Sequence, residues 1–119
     1  MNHETGKSGE QLALDYMIRQ GYQLVQKNYR CRIGEIDMIL MKDKTLIFVE
    51  VKTRSSLKYG LPRESVTISK QRNIARTALQ YIQRYKIKNL NFRFDVVEIY
   101  RNHDAVKVVH IPNAFSIQS

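Results

Sequence analysis

Residues 34–54 read GEIDMILMKDKTLIFVEVKTR, two apolar runs on either side of a short polar turn at residues 42–45. With the turn centred on Asp43 and Lys44, antiparallel pairing is symmetric. Leu40 then faces Ile47, Asp37 faces Glu50 and Glu35 faces Lys52. Side chains alternate between faces along a strand, so Asp37, Glu50 and Lys52 share one face. Opposed residues have Cβ atoms roughly 4.5–5.5 Å apart. Two carboxylates that close repel each other unless something cationic sits between them. A hard divalent ion bound by oxygens meets that need, and Lys52 is placed to assist. The competing reading of the trio is a structural ion-pair cluster. Glu35, opposite Lys52, reads as a bridge that holds the lysine in place or as a further acid of the site, the bridge being favoured.

Away from the acids both faces of the hairpin are apolar. Ile36, Met38, Leu40, Ile47, Val49 and Val51 line one, and Ile39, Met41, Leu46 and Phe48 the other. Strands of this kind belong in the middle of a sheet covered on both sides. Charged groups at one end of such strands are expensive to keep without a function.

The flanking segments supply the covers. Residues 8–20 read as a helix, with Ser8 and Gln11 as a capping box, Gly21 just past its end, and Leu12, Ala13, Tyr16 and Met17 as its apolar stripe. Glu10 lies on the side of that stripe. It reads equally as a member of the site and as a first-turn acid favoured by the helix dipole. Residues 22–29 form a strand with Tyr22 and Leu24 on one face. Residues 55–66, with Gly60 and Pro62, form a loop. Residues 69–85 form a second helix with Ile74, Ala75, Ala78, Leu79, Ile82 and Tyr85 as its stripe. Two more strands follow at 91–100 and 105–111, and residues after Pro112 read as a loose tail. The order α-β-β-β-α-β-β predicts an α/β sandwich with a mixed sheet. A chain of 119 residues is enough for one domain, with an ordered core over about residues 6–111.

Composition narrows the class. With 43% hydrophobic and 26% charged residues the chain is of the globular kind, without low-complexity segments or repeats. The longest purely apolar runs, 38–41 and 46–49, are far short of a membrane span. The first ten residues, MNHETGKSGE, contain no signal-peptide core. A single cysteine, Cys31, excludes an internal disulfide, so a reducing cytoplasm is the expected compartment. The histidines His3, His103 and His110 show no zinc spacing. Net charge is +9, and between residues 51 and 94 eleven Lys or Arg face one acid, Glu64, a local net of +10. Such a segment beside an acidic pair suits a polyanion meeting a metal site, the alternative being a solubilising surface. Arg72, Arg76 and Arg84 lie off the stripe of the second helix, towards solvent or phosphate. Arg54 and Tyr59 fall in or beside the loop, where contact with nucleic acid competes with plain packing. Asp95 reads as a partner for Arg93 or as a further acid of the site.

The pattern G-E-I-D at 34–37, twelve residues, then E-V-K at 50–52 resembles the signature of the PD-(D/E)xK nucleases. More closely, the chain resembles the YraN-like family of small bacterial endonuclease-like proteins over roughly residues 6–100. The likeness rests on Gly9-Glu10, Gly21-Tyr22, Asn28-Tyr29-Arg30, Gly34-Glu35-Ile36-Asp37, the run from Phe48 to Arg54, Lys70, and Phe94-Asp95-Val96-Val97. The family looks like the archaeal Holliday-junction resolvases in core layout. The resemblance implies a restriction-endonuclease-like αβββαβ sandwich with a central mixed sheet. It implies Asp37 and Glu50 as metal ligands, the Val51 carbonyl as a further ligand, and Glu10 as an outer or second-metal ligand. Lys52 would orient or activate water and stabilise the phosphorane-like transition state. Ile36 stands where the motif often has proline.

The resulting expectation is a Mg²⁺- or Mn²⁺-dependent endonuclease. It would act on DNA, branched or structured DNA in particular, without sequence preference, in the cytoplasm and without a membrane. The basic segment, including Arg54, Tyr59, Lys70, Arg72 and Arg76, would bind phosphates. A homodimer is compatible with cutting two strands. The rival reading is a catalytically silent nucleic-acid-binding or adaptor protein that retains the fold.

Overall fold

The computed structural model describes residues 6–54, 66–102 and 105–116. Helix α1 (Gly9–Arg19) begins at Ser8, whose hydroxyl accepts the Gln11 N–H at 3.0 Å. It closes at Gly21, whose φ of +96° favours glycine. The other elements are β1 (Gln23–Arg30), β2 (Glu35–Lys42), β3 (Thr45–Arg54), α2 (Ile68–Arg84), β4 (Asn91–Asn102) and β5 (Ala105–Phe115). Thr67 caps α2, its hydroxyl accepting the Lys70 N–H. The strands form one sheet in the order β1-β2-β3-β4-β5. Strands β3 and β4 run parallel, with α2 as their crossover, and the other neighbours are antiparallel. This is the mixed α/β sandwich in αβββαβ order, with β5 added at the edge.

Each face of the sheet has its own helix. Leu12, Ala13, Leu14 and Met17 of α1 pack on Met38, Leu40, Ile47, Val49, Val97 and Ile99. On the other face Ile74, Ala75, Ala78 and Tyr81 of α2 pack on Ile39, Leu46, Phe48, Phe94 and Val96. Burying a side chain such as Phe48 or Leu40 contributes about 1.5–3 kcal/mol, so these two layers are the main source of stability. They also fix β3 in the middle of the sheet, where Glu50 and Lys52 can be held rigidly.

Five expectations are corrected. Tyr81, rather than Leu79, lies in the stripe of α2. It meets Tyr29 and Phe48 edge-on at 4.9 and 6.1 Å, whereas Leu79 is 44% exposed. The terminal Tyr85 is also half exposed and leans on Tyr81. In β1 the pairing register shifts between Leu24 and Gln26, which breaks the alternation and leaves Leu24 partly exposed. Ile36 packs with Ile39 and Phe48, not with Met38 and Leu40. The cause is that β2 pairs with β3 only as far as Met38 opposite Val49, and the strict alternation ends there. The chain past Pro112 is not a loose tail. Strand β5 continues to Phe115, whose ring stacks on Phe94 at 5.1 Å. Pro112 is tolerated because β5 is an edge strand. The loop read at residues 55–66 lies outside the described residues except for Val66.

One close approach ties α1 to β3. A Cβ on Gly9 would overlap Thr53 Oγ1 and come within 3.3 Å of Thr53 Cβ. Thr53 is β-branched and stiff, so it yields poorly. Gly9→Ala should cost about 1–3 kcal/mol in urea denaturation. The same change in a Thr53→Ala background should cost much less. An equal loss in both backgrounds would place the strain elsewhere.

Candidate functional site

The hairpin register is the one expected, with Lys42 opposite Thr45, Leu40 opposite Ile47 and Met38 opposite Val49. Just beyond the last pair β2 leaves β3, and the side chain of Asp37 takes over. Its Oδ2 accepts the Val51 N–H at 2.7 Å. Glu50 comes from β3 beside it and is buried, at 6% exposure. Burial pushes the Glu50 carboxyl up to about 7, and the adjacent Asp37 carboxylate pushes the same way. Near neutral pH Glu50 is therefore close to its own midpoint, the result of burial first and of the neighbouring carboxylate second.

The first turn of α2 completes the group. Lys70 Nζ lies 3.2 Å from Glu50 Oε2, an ion-pair distance. Yet Oε2 is buried and accepts no hydrogen bond, so the contact with Lys70 is one of charge without alignment. Asp37, Glu50, Lys70, Gly34, Ser69 and Asn73 line a cavity of about 400 Å³. Lys52 adjoins Lys70. Burial and then the neighbouring ammonium lower its pKa, against the pull of Glu50 and Asp37. For Lys70 burial acts downward, but Glu50 and the other neighbours outweigh it and the pKa rises.

Glu10, from the start of α1, is raised by burial and then by Asp37 and Glu35. It therefore feels Asp37, one member of the pair, while Lys27 and a side-chain hydrogen bond with Asn28 act in the opposite direction. Among the described residues, no three His, Cys, Asp or Glu side chains converge as a metal-holding group. The site is thus built on the pair Asp37 and Glu50, with Glu10 nearby. Val51 lies between Glu50 and Lys52 with its N–H committed to Asp37. The donor set fits a hard divalent cation. Two carboxylates share one pocket, and one buried oxygen, Glu50 Oε2, has the Lys70 ammonium near it but no aligned hydrogen bond.

Glu35 does not meet Lys52 through strand pairing, because the β2–β3 ladder stops short of them. It pairs instead with Arg30 across β1, at 3.3 Å, and lines the same cavity as Asp37 and Glu50. Arg54, expected to face nucleic acid, is bound to Glu98 at 3.1 Å. Glu98 is fully buried on β4 beside Lys52 and also accepts the Tyr100 hydroxyl. Arg72 and Arg76 are exposed on α2, the helix that carries Lys70. Tyr59 lies outside the described residues. Sequence reading missed the Lys70–Glu50 contact and the burial of Glu98. The only sequence signal for Glu98 is a single acid inside the apolar run Val96–Tyr100, and its link to Arg54 needs the parallel register.

A third buried carboxylate, Asp95, occupies the α1 face. Both of its oxygens receive the Arg93 guanidinium at 2.8 Å, His110 Nε2 lies 2.7 Å away, and the Asn113 N–H donates at 2.9 Å. Arg93 also donates to the Tyr22 hydroxyl. Asp95 thus pairs with Arg93, one of its two sequence readings, and stands apart from the Asp37/Glu50 site.

Comparison with known proteins adds a family. The model of the uncharacterised protein family UPF0102 matches residues 9–99. The chain is 46% identical to a UPF0102 protein of Caldicellulosiruptor saccharolyticus, covering 94% of this chain and 97% of that one. It is 43% identical to one of Caldanaerobacter subterraneus, covering 92% and 93%. It is 42% identical to one of Geobacter metallireducens, covering 98% and 95%.

Proposed function

The chain belongs to the uncharacterised protein family UPF0102, and from its site we propose that it is a metal-dependent endonuclease of the PD-(D/E)xK kind. Its substrate on this reading is DNA, branched or structured DNA in particular. The observation that carries the reading is the pair Asp37 and Glu50 at one end of the central strands, Glu50 raised to about 7 by burial and then by Asp37, with Lys52 and Lys70 alongside. Asp37 and Glu50 would hold Mg²⁺ or Mn²⁺, which supplies Lewis-acid neutralisation of the phosphate when bound. Glu10 would act from outside the pair.

Lys52 performs the rest of the chemistry. It projects from a rigid central strand, and its lowered pKa makes proton exchange with a water easier than for a surface lysine. In its charged form it stabilises the negative charge that grows on the phosphoryl oxygens. Arg72 and Arg76 on the outer face of α2 give phosphates a track leading to the cavity. Nothing among the described elements resembles a base-reading module, which supports sequence-independent binding. No helix among the described residues is long and apolar enough to cross a membrane. A homodimer would present two such sites to two strands.

Removing Arg72 and Arg76 together should weaken DNA binding about equally across sequences. It should also flatten the salt dependence, by a slope of roughly 0.9 per lost phosphate contact on duplex. An unchanged slope in filter binding would put the binding surface elsewhere. The reading as a whole is tested by a cleavage panel of linear, single-stranded, flapped and four-way DNA with Mg²⁺ or Mn²⁺. Cleavage of at least one form that stops on chelation supports a nuclease. DNA binding without cleavage of any form supports the silent adaptor.

A further inference from the structure

Lys70 and Glu50 are an unequal pair. Glu50 is fixed on β3, in the middle of the sheet, and its side chain is 7% exposed. Lys70 sits in the first turn of α2, its side chain 45% exposed at the cavity wall beside Ser69 and Asn73. The ammonium can leave Glu50 and remain solvated, whereas Glu50 cannot follow. The contact also leaves Oε2 without an aligned hydrogen bond. Burial of an unsatisfied carboxylate oxygen is costly, so Oε2 favours a ligand that binds it directly. A divalent cation does so without the alignment an N–H requires.

We propose that Lys70 is a displaceable counter-ion of the acid pair. It neutralises Glu50, a divalent cation competes with it for Oε2, and the released ammonium takes a substrate phosphate at the cavity mouth. This rests on the metal-site reading above. Two consequences follow from the competition. Lys70 weakens the intrinsic affinity for metal. A bound phosphate that holds Lys70 away from Glu50 strengthens metal binding, so metal and DNA bind cooperatively, each raising the affinity for the other.

The test is calorimetric titration of Mn²⁺ into wild type, Lys70→Gln and Lys44→Gln, with and without a short DNA duplex held below the cleavage time. Lys44 is exposed at the β2–β3 turn, at the far end of the hairpin, and controls for net charge. Lys70→Gln should bind Mn²⁺ about fivefold tighter than wild type, the size expected for losing a partly exposed ion pair. Lys44→Gln should match wild type. DNA should raise the Mn²⁺ affinity of wild type and leave that of Lys70→Gln nearly unchanged. If wild type binds Mn²⁺ and Lys70→Gln binds it no tighter, the counter-ion role is wrong and the metal site stands. If none of the three binds Mn²⁺, the metal site and the counter-ion fall together.

Discussion

On the proposed nuclease mechanism Lys52→Ala should slow single-turnover cleavage by roughly 10²-fold or more and leave DNA affinity near the wild-type value. The side chain stands on β3 and interacts with Lys70, Glu50 and Asp37. Its charge acts mainly where negative charge develops, in the transition state, so the loss belongs in the rate and not in ground-state binding. The exposed arginines of α2 remain to hold the backbone. The variant should also fold normally, because Lys52 is only half-buried and truncation leaves the neighbouring Glu98 with its own partners, Arg54 and Tyr100. Equal cleavage rates for wild type and variant would remove Lys52 from the chemistry. A loss confined to DNA affinity would make it a binding residue.

Asp95→Ala should destabilise the fold by about 3–5 kcal/mol, the cost of breaking a buried ion pair from one side. The change leaves Arg93, the His110 ring and the Asn113 N–H without their common acceptor. Because Asn113 belongs to β5, docking of the edge strand weakens along with the pair. The effect depends on pH. Burial pushes the Asp95 carboxyl up, but His110, Arg93 and the Asn113 N–H together bring it below the ordinary aspartate range. A carboxylate with a depressed folded pKa binds more protons unfolded than folded. Its contribution is therefore present above the ordinary aspartate pKa of about 3.9 and is lost as pH falls through the folded value. Urea denaturation should show wild type and Asp95→Ala furthest apart near neutral pH and converging in acid. A constant gap down to strongly acidic pH would assign the loss to packing alone.

What could be read from sequence depended on the range of the interactions involved. The β2–β3 hairpin was legible because its turn and its alternation are local, and the symmetric spacing of Asp37 and Glu50 about that turn gave the acid pair directly. The caps at Ser8 and Gly21 were legible for the same reason. Long-range features were not. That Tyr81 and not Leu79 faces the core depends on how α2 rotates to meet Tyr29 and Phe48. That β5 extends to Phe115 depends on Phe94 and Asp95, which wait on the neighbouring strand. The failed Glu35–Lys52 bridge came from extending a symmetric ladder past the point where β2 departs from β3. Lys70 was visible as one more cation in a basic segment. Only the docking of α2 on the sheet carries it to Glu50.

On the proposed function Asp37 and Glu50 hold a divalent ion that drives phosphodiester hydrolysis. Removing Asp37 breaks that pair and frees the Val51 N–H it accepts. It also removes a negative charge that repels phosphate. The most direct measurement is product formation from a labelled four-way DNA junction in excess Mg²⁺, for wild type and Asp37→Ala purified in parallel. Circular dichroism on both establishes that the fold is retained. Wild type should cleave until chelation stops it and Asp37→Ala should not cleave, although the variant should bind the junction as tightly as wild type or tighter in metal-free buffer. Equal cleavage by the two proteins, or cleavage by wild type that chelation leaves unchanged, would rule out metal-driven hydrolysis at the Asp37/Glu50 pair.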